Sequence, residues 1–435
     1  MLGSRVTTIA YPMLVLYLTG SPVTAGWVAF AATAPSVLVY MPAGALVDRS
    51  DPRLVMLLSE SGRGIAIGTV AVTVAVGRPS ISLLVGMAVI EEILEAFSTL
   101  AERRYVRCLV EPDQASSAQV RIEARTHAVV LAGRPLGGFL FEVDPLLPFF
   151  FDAASFVISV GALLGISRKR PAKWTNSWRH TAWLSYRTWE NILKFTSKKL
   201  MPLTTGVPDR QLRDDIREGL TWLLQNRFAR TAVILSAVTT LICQALIMIL
   251  LAAARSQHLS SLSVGIALAA TGAGGILGSV AASRWQAPAW CSWIQFQMCI
   301  WSVAFIVLAI SSGRFFLGTA ISMMIVLGFS GALGNIEIDT YLIQHVAVTM
   351  QARVASVNRL ISFTCCAIGP VVGGILVHRY GMRAAIFSLF VMAATLALIS
   401  VINPSIRSRG DYDPVPLLSA EDGLPAAASP VTPTA

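Results

Sequence analysis

Gly44-Ala-Leu-Val-Asp48-Arg49-Ser-Asp-Pro-Arg53 sits between two long apolar runs and concentrates charge where the neighbouring sequence has none. Two arginines, two aspartates and a proline make a short turn that has to stay at a membrane surface, since charge is expensive inside the hydrocarbon layer. Up and down the chain the same pattern repeats: apolar run, short loop, apolar run. The stretch therefore reads as a hinge loop of a polytopic membrane protein.

Composition agrees. Hydrophobic residues make up 54% of the 435 residues and charged residues 13%, about half the charge of an ordinary soluble domain at ~25%. At ~20 residues per span plus loops, the length allows roughly ten to twelve helices. The net charge is +10, and between residues 166 and 228 there are 13 Lys/Arg against 5 Asp/Glu. With apolar helices on both sides, a surface of anionic lipid accounts for that excess more simply than nucleic acid, for which no motif is present. The 6 cysteines show no CxxC spacing, so small-residue packing is their expected role. The first apolar run starts almost at Met1 and contains Arg5, which suits a first membrane helix better than a signal peptide. Its short start leads us to expect a segment upstream.

Twelve spans are expected, all α-helical, in two six-helix bundles. The first bundle covers residues 1–166, a basic cytoplasmic linker 167–230, the second bundle 231–402, and a disordered Pro/Ala/Ser-rich cytoplasmic tail 403–435. Helix two is expected to end near Leu46 and helix four near Leu100, with a charged connection before helix five at Thr126. Within the linker, Trp178, Ala182, Ser185, Trp189 and Ile192 fall on one helical stripe, as in an amphipathic helix lying on a leaflet, with a disordered linker as the competing reading. The Lys/Arg excess falls on the loops after the even-numbered helices, placing both termini in the cytoplasm of a plasma (bacterial inner) membrane. An internal echo supports the division: Gly133-Arg134-Pro135-Leu-Gly137-Gly138 in helix five against Gly369-Pro370-Val-Val-Gly373-Gly374 in helix eleven. These are the fifth helices of their halves, as a parallel duplication requires.

At this point the chain resembles the major facilitator superfamily. Gly44-x-Leu46-x-Asp48-Arg49 followed by Arg53 is similar to that family's loop between helices two and three. Leu2-Gly-Ser-Arg5-Val-Thr-Thr, Leu18-Thr-Gly-Ser-Pro22, Ala25-Gly26 and Arg353-Val-Ala-Ser-Val-Asn-Arg359 resemble a narrower branch, the macrolide-efflux and enterobactin-exporter-like drug:proton antiporters. Three positions depart from the pattern: Asp51 stands where many members have glycine, Pro52 where a basic residue is usual, and Arg134 where the antiporter motif of helix five has a Gly-Pro pair.

The resemblance implies roles for these residues, each with a plainer reading beside it. Gly44, Asp48, Arg49 and Arg53 would form a conformational gate in which ion pairs exchange partners as the halves rock; the plainer reading is a solvated turn. Gly133, Arg134, Pro135, Gly137, Gly138, Gly369, Pro370, Gly373 and Gly374 would bring helix backbones close together, a need that packing alone also creates. Arg134, a lone arginine within a span, is expected to face a cavity or a carboxylate.

Glu91, Glu92 and Glu95 form the densest acid cluster of any span, and Glu91 and Glu95 share a helical face. Crowded carboxylates in a low dielectric can take up a proton from one side and release it on the other, or attract a cationic substrate. Alternatively they are held by Arg5, Arg63 or Arg134 and only join helices. Of Glu337 and Asp339, two apart on helix ten, one is expected to line the cavity; otherwise they cap or pair with Arg353 or Arg359. Asp152, and Glu60 with Arg63 one turn on, read as structural. Gly272-Ala-Gly-Gly275-Ile-Leu-Gly278 misses the G-x-G-x-x-G spacing by one place inside an apolar helix, so it reads as packing.

The expected function is thus a secondary active transporter that exports an amphipathic small molecule, such as an antibiotic, drug or siderophore, by proton antiport. Its partners would be that substrate, protons and a bilayer with an anionic inner leaflet; no cofactor, metal or nucleic acid is called for, and a monomer is expected. Uniport or uptake of a metabolite, or a transport-dead sensor or scaffold, are the alternatives. An enzyme is disfavoured: the 5 histidines are scattered, and no HExxH, G-x-S-x-G or P-loop occurs.

Overall fold

The computed structural model describes residues 2–77, 79–109, 115–165, 209–256, 259–284, 292–311, 315–346 and 348–403. The helices are α1 (Leu2–Thr19), α2 (Pro22–Arg49), α3 (Pro52–Ala75), α4 (Ile81–Leu109), α5 (Ala115–Val143), α6 (Leu147–Gly165), α7 (Asp209–Gln225), α8 (Arg227–Ser256), α9 (Ser261–Arg284), α10 (Trp293–Ile310), α11 (Phe316–His345) and α12 (Val348–Ile402). Helix α12 is two membrane helices joined at Gly381, whose φ of 77° and ψ of 170° break the helical path. We call them α12a (348–380) and α12b (382–402). A positive φ of this kind suits glycine, which has no Cβ to clash.

The described residues thus hold twelve membrane helices in two pseudo-symmetric halves, α1–α6 and α8–α12b, with α7 between them. Each major packing pair of the first half has its counterpart in the second: α1 with α5 and α8 with α12, α2 with α4 and α9 with α11, α3 with α6 and α10 with α12. The halves meet along two seams, α2 against α12 and α5 against α9. Eight helices are long and apolar enough to cross a membrane by length and composition alone. Among the other membrane helices are α1, α4 and α5, which carry Arg5, the Glu91–Glu95 cluster and Arg134.

Local chemistry sets the helix ends. Ser21 accepts from the Thr24 N–H at 3.3 Å ahead of Pro22 at the first helical position, and Asp51 does the same for Arg53 at 2.9 Å ahead of Pro52. Asp51 and Pro52, two of the departures noted above, are therefore a helix start. Helix α2 runs on through Arg49 rather than ending near Leu46, so the turn shrinks to Ser50 and Asp51. The charged connection expected at residues 101–125 is also largely helical, since α4 continues to Leu109 and α5 starts at Ala115. Each has 29 residues, or ~43 Å at ~1.5 Å per residue, which exceeds a ~30 Å hydrocarbon layer. Charge at such ends is solvated and does not stop a helix.

Helix α7 lies inside the stretch read as a linker, as does the first turn of α8. It packs on α12a, where Gly219 faces the Arg353 backbone and Glu218 pairs with the Arg353 guanidinium. Asn226 forms the elbow to α8: its Oδ1 accepts from the Ala229 N–H at 2.9 Å and its Nδ2 donates to the Tyr341 hydroxyl at 3.1 Å. The tryptophan-bearing stretch 173–199 and the tail beyond 403 lie outside the described residues.

Candidate functional site

Arg63 of α3 is the hub of the first half. Its guanidinium meets Glu60 one turn back at 3.5 Å, Glu91 of α4 at 3.4 Å, and Glu95 of α4 at closer range. It also donates to Ser4 Oγ of α1 at 2.9 Å and lies over the Phe156 ring of α6, 4.7 Å from the centroid. Four helices thus converge on one buried cation. Glu60 accepts from Ser98 of α4 at 2.7 Å and Ser159 of α6 at 3.0 Å. Asp152 of α6, fully buried, accepts from Thr7 of α1 at 2.8 Å and Ser155 at 3.2 Å. Around them Tyr11 buries a hydroxyl that has no hydrogen-bond partner among the described residues and lies within electrostatic reach of Glu91 and Asp152.

The three glutamates of α4 therefore divide. Glu91 and Glu95 turn inward to Arg63, whereas Glu92 points along the neighbouring face to Ser36 of α2 and stands within electrostatic reach of Arg5 and of Cys366 on α12a.

The glycine repeat is split in the same way on both sides. Gly133 and Gly137 pack on α1, at Arg5 and Val6, while Gly138 packs on Ser261 of α9. Correspondingly Gly369 and Gly373 pack on α8, at Leu241 and Ala245, while Gly374 packs on Pro22 of α2. Across the seams, a Cβ on Gly26 would lie 2.6 Å from the Pro370 carbonyl oxygen, and one on Gly265 would lie 2.6 Å from the Arg134 carbonyl oxygen. Both are closer than real Cβ atoms come, so each seam needs its glycine. Deeper along them, Tyr40 stacks on Phe363 with centroids 5.6 Å apart, and Leu131 backs onto Gly272. Gly274 and Gly278 pack on α11 at Ile325 and Phe329, the packing role read for that stretch.

Arg134 crosses the α5–α9 seam, its Nη1 donating to the Leu268 carbonyl at 2.7 Å and to Thr271 Oγ1 at 2.9 Å. Its partners are a carbonyl and a hydroxyl of the other half rather than the carboxylate that was one expectation. Glu337 is buried and accepts from the Ile294 N–H at 3.1 Å, capping α10. Asp339 is exposed and stands near Arg359 of α12a.

Of the expected gate, Gly44 has open space around it, and the side chains of Asp48 and Arg49 lie outside what is described. Arg53 turns to the end of α6, donating to the Leu163 carbonyl at 2.8 Å and to that of Leu164 at 3.2 Å. Sequence reading missed Arg104 of α4, which donates to the carbonyls of Val47 and Ser50 and so clasps the turn. Its place one turn beyond the apolar part of α4 was the available signal. Among the described residues no group of His, Cys, Asp and Glu converges as metal ligands would.

The description "Major Facilitator Superfamily" belongs to a family model that matches residues 1–370. Over 420 residues the chain is 23% identical to a multidrug efflux pump, Tap, of Mycobacterium tuberculosis (strain ATCC 25618 / H37Rv), spanning 93% of this chain and 91% of that protein. The pump of the same name in Mycobacterium bovis gives the same figures. Among solved structures, a bacterial homolog of the human lysosomal transporter Spinster superposes with a TM-score of 0.67 at 13% identity, covering 94% of both chains. The nucleoside transporter NupG superposes with a TM-score of 0.64 at 13% identity, over 91% of this chain and 95% of that one.

Proposed function

The chain belongs to the Major Facilitator Superfamily, and from that premise we propose that this multi-pass membrane transporter of small molecules exports an amphipathic substrate, an antibiotic, drug or siderophore, in exchange for protons. The observation that carries the coupling is the arrangement at Arg63, where one guanidinium faces Glu60, Glu91 and Glu95 in a buried, low-dielectric place. That deficit of positive charge is relieved when a proton binds and returns when it leaves, which is what antiport requires. The similarity to pumps named for multidrug efflux supports the direction of transport.

With both termini in the cytoplasm of the bacterial inner membrane, the α1–α2 turn and the α8–α9 connection face outward. The close contacts of Gly26, Gly374, Gly138 and Gly265 then lie toward the outer side. The gate at Gly44, Asp48, Arg49 and Arg53 stands at the cytoplasmic end, clasped by Arg104. Alternating access exchanges closure at the outer seams for closure at this end.

Proteoliposomes with an imposed pH gradient test the reading: adding an amphipathic drug that the protein exports should trigger proton movement. Drug flux indifferent to the gradient would remove the coupling. Glu95→Gln should abolish coupling before it abolishes drug binding, and coupling that survives it places the proton elsewhere. Asp48→Asn should stop transport in a normally folded protein.

A further inference from the structure

Two arginines stand by the α5–α9 seam with no carboxylate in ion-pair contact among the described residues. Arg5 sits on α1 with its Cβ against Gly133, which a Cβ there would approach to 2.7 Å. Arg134 is the next residue of α5, and the two charges are near enough to act on each other. Gly133 lies ten residues before the end of α5 at Val143, ~15 Å along the axis or about half a ~30 Å hydrocarbon layer. Arg5 is exposed, and neither guanidinium has a carboxylate partner among the described residues. Arg134 uses Nη1 on α9; the rest of its fork is uncommitted.

A cation at mid-membrane depth is retained only where something offsets its cost. Glu92 lies near Arg5 yet leans on Ser36, and Glu91, Glu95 and Glu60 are taken by Arg63. We propose that Arg5 and Arg134 form an oxyanion subsite, which takes a carboxylate, sulfonate or phosphate group of the transported amphipathic molecule. A planar guanidinium matches such a group with two parallel hydrogen bonds. Because Arg134 is already tied to Leu268 and Thr271, an anion held by this first-half pair is linked to the second half through Arg134. Glu92, within electrostatic reach of Arg5, then suits a positive end, so the preferred class is an acidic or zwitterionic amphiphile. This rests on the reading that the substrate passes between the halves.

The test is binding to the full chain in lipid nanodiscs, with no gradient, so that it is separate from transport. The probes are a dansyl amino acid, its methyl ester and dansyl-cadaverine, which share a fluorophore and differ in charge. The acid should bind at least tenfold more tightly than the ester or the amine. Arg5→Gln should erase that preference, Arg5→Lys should keep part of it, and Arg134→Gln should reduce it. Gel-filtration profiles of all three variants check their folding. Equal binding of the three probes, preference for the amine, acid preference that survives Arg5→Gln in a folded variant, or binding of none of them would each overturn the subsite. Acid preference without proton-coupled flux would leave the subsite standing and sink the antiport reading.

Discussion

Where Arg63 of α3 meets Glu91 and Glu95 of α4, the corresponding helices of the second half, α10 and α11, meet through Trp301, whose indole N–H donates to Ser330 at 3.0 Å. Where Glu60 of α3 accepts from Ser159 of α6, the second half has Gln295 of α10 donating to the Ser400 carbonyl of α12b at 2.8 Å. The helix arrangement is shared and the interior chemistry is not. Neutral hydrogen bonds contribute ~1 kcal/mol each and do not change with protonation. A buried group of carboxylates on one arginine does change. Under the proposed antiport the first half is the one that gains and loses charge, while these contacts of the second half stay neutral.

The sharpest way to break this contrast is to remove the hub. Arg63→Ala leaves three glutamates facing one another, and losing one partner of a buried ion pair costs ~3–5 kcal/mol. Ser330→Ala removes one hydroxyl and forfeits that hydrogen bond, ~1–3 kcal/mol with the buried indole N–H left unpaired. Melting of both variants in detergent should show Arg63→Ala the less stable. Similar losses would mean that the charged interior is no more critical than the neutral one.

The seams repeat the lesson at smaller scale. Arg134→Met removes charge-assisted bonds to α9 and should cost ~1.5–3 kcal/mol; no such tie spans the other seam at the matching position, Pro370. Maleimide labelling of a cysteine placed at Gly272, beside Leu131 on the same seam, should speed up in Arg134→Met, because the seam opens. At backbone level the seams are alike, so Gly26→Val and Gly265→Val should each cost ~1–3 kcal/mol of overpacking and depress transport about equally. A large difference between those two would show that the pseudo-symmetry does not extend to the contacts.

Much of this was legible in the sequence. The apolar runs gave the helices, and the two glycine repeats gave the halves, because close helix packing needs small residues at fixed intervals. Helix ends were misplaced wherever helices leave the bilayer, since the charged ends of α4 and α5 look like loops in a hydropathy pattern. Helix α7 was hidden for the same reason: charge dilutes its apolar face, where Gly219 and Leu223 are buried. Arg63 read as structural with Glu60 one turn away, and was one of three arginines named as possible holders of the Glu91–Glu95 cluster. Its other partners are 28 and 32 residues distant, and periodicity shows that Glu91 and Glu95 share a face without showing what the face meets.

The least damaging change should be the most informative about where protons go. Glu337 is a buried glutamate of the second half, and residue type alone makes it as good a candidate as Glu95. Its position argues otherwise, because it accepts the Ile294 N–H at the start of α10, where a carboxylate meets the positive end of the helix dipole. Glu337→Gln keeps an acceptor oxygen and loses only the charge, a cost of ~0.3–1 kcal/mol. The variant should melt slightly earlier and still exchange substrate for protons, with the same dependence on the imposed gradient. Glu95→Gln, made alongside, should melt normally or nearly so and lose that dependence. If Glu337→Gln also uncouples transport, the second half holds a titrating group after all, and the division between a charged and a neutral half fails.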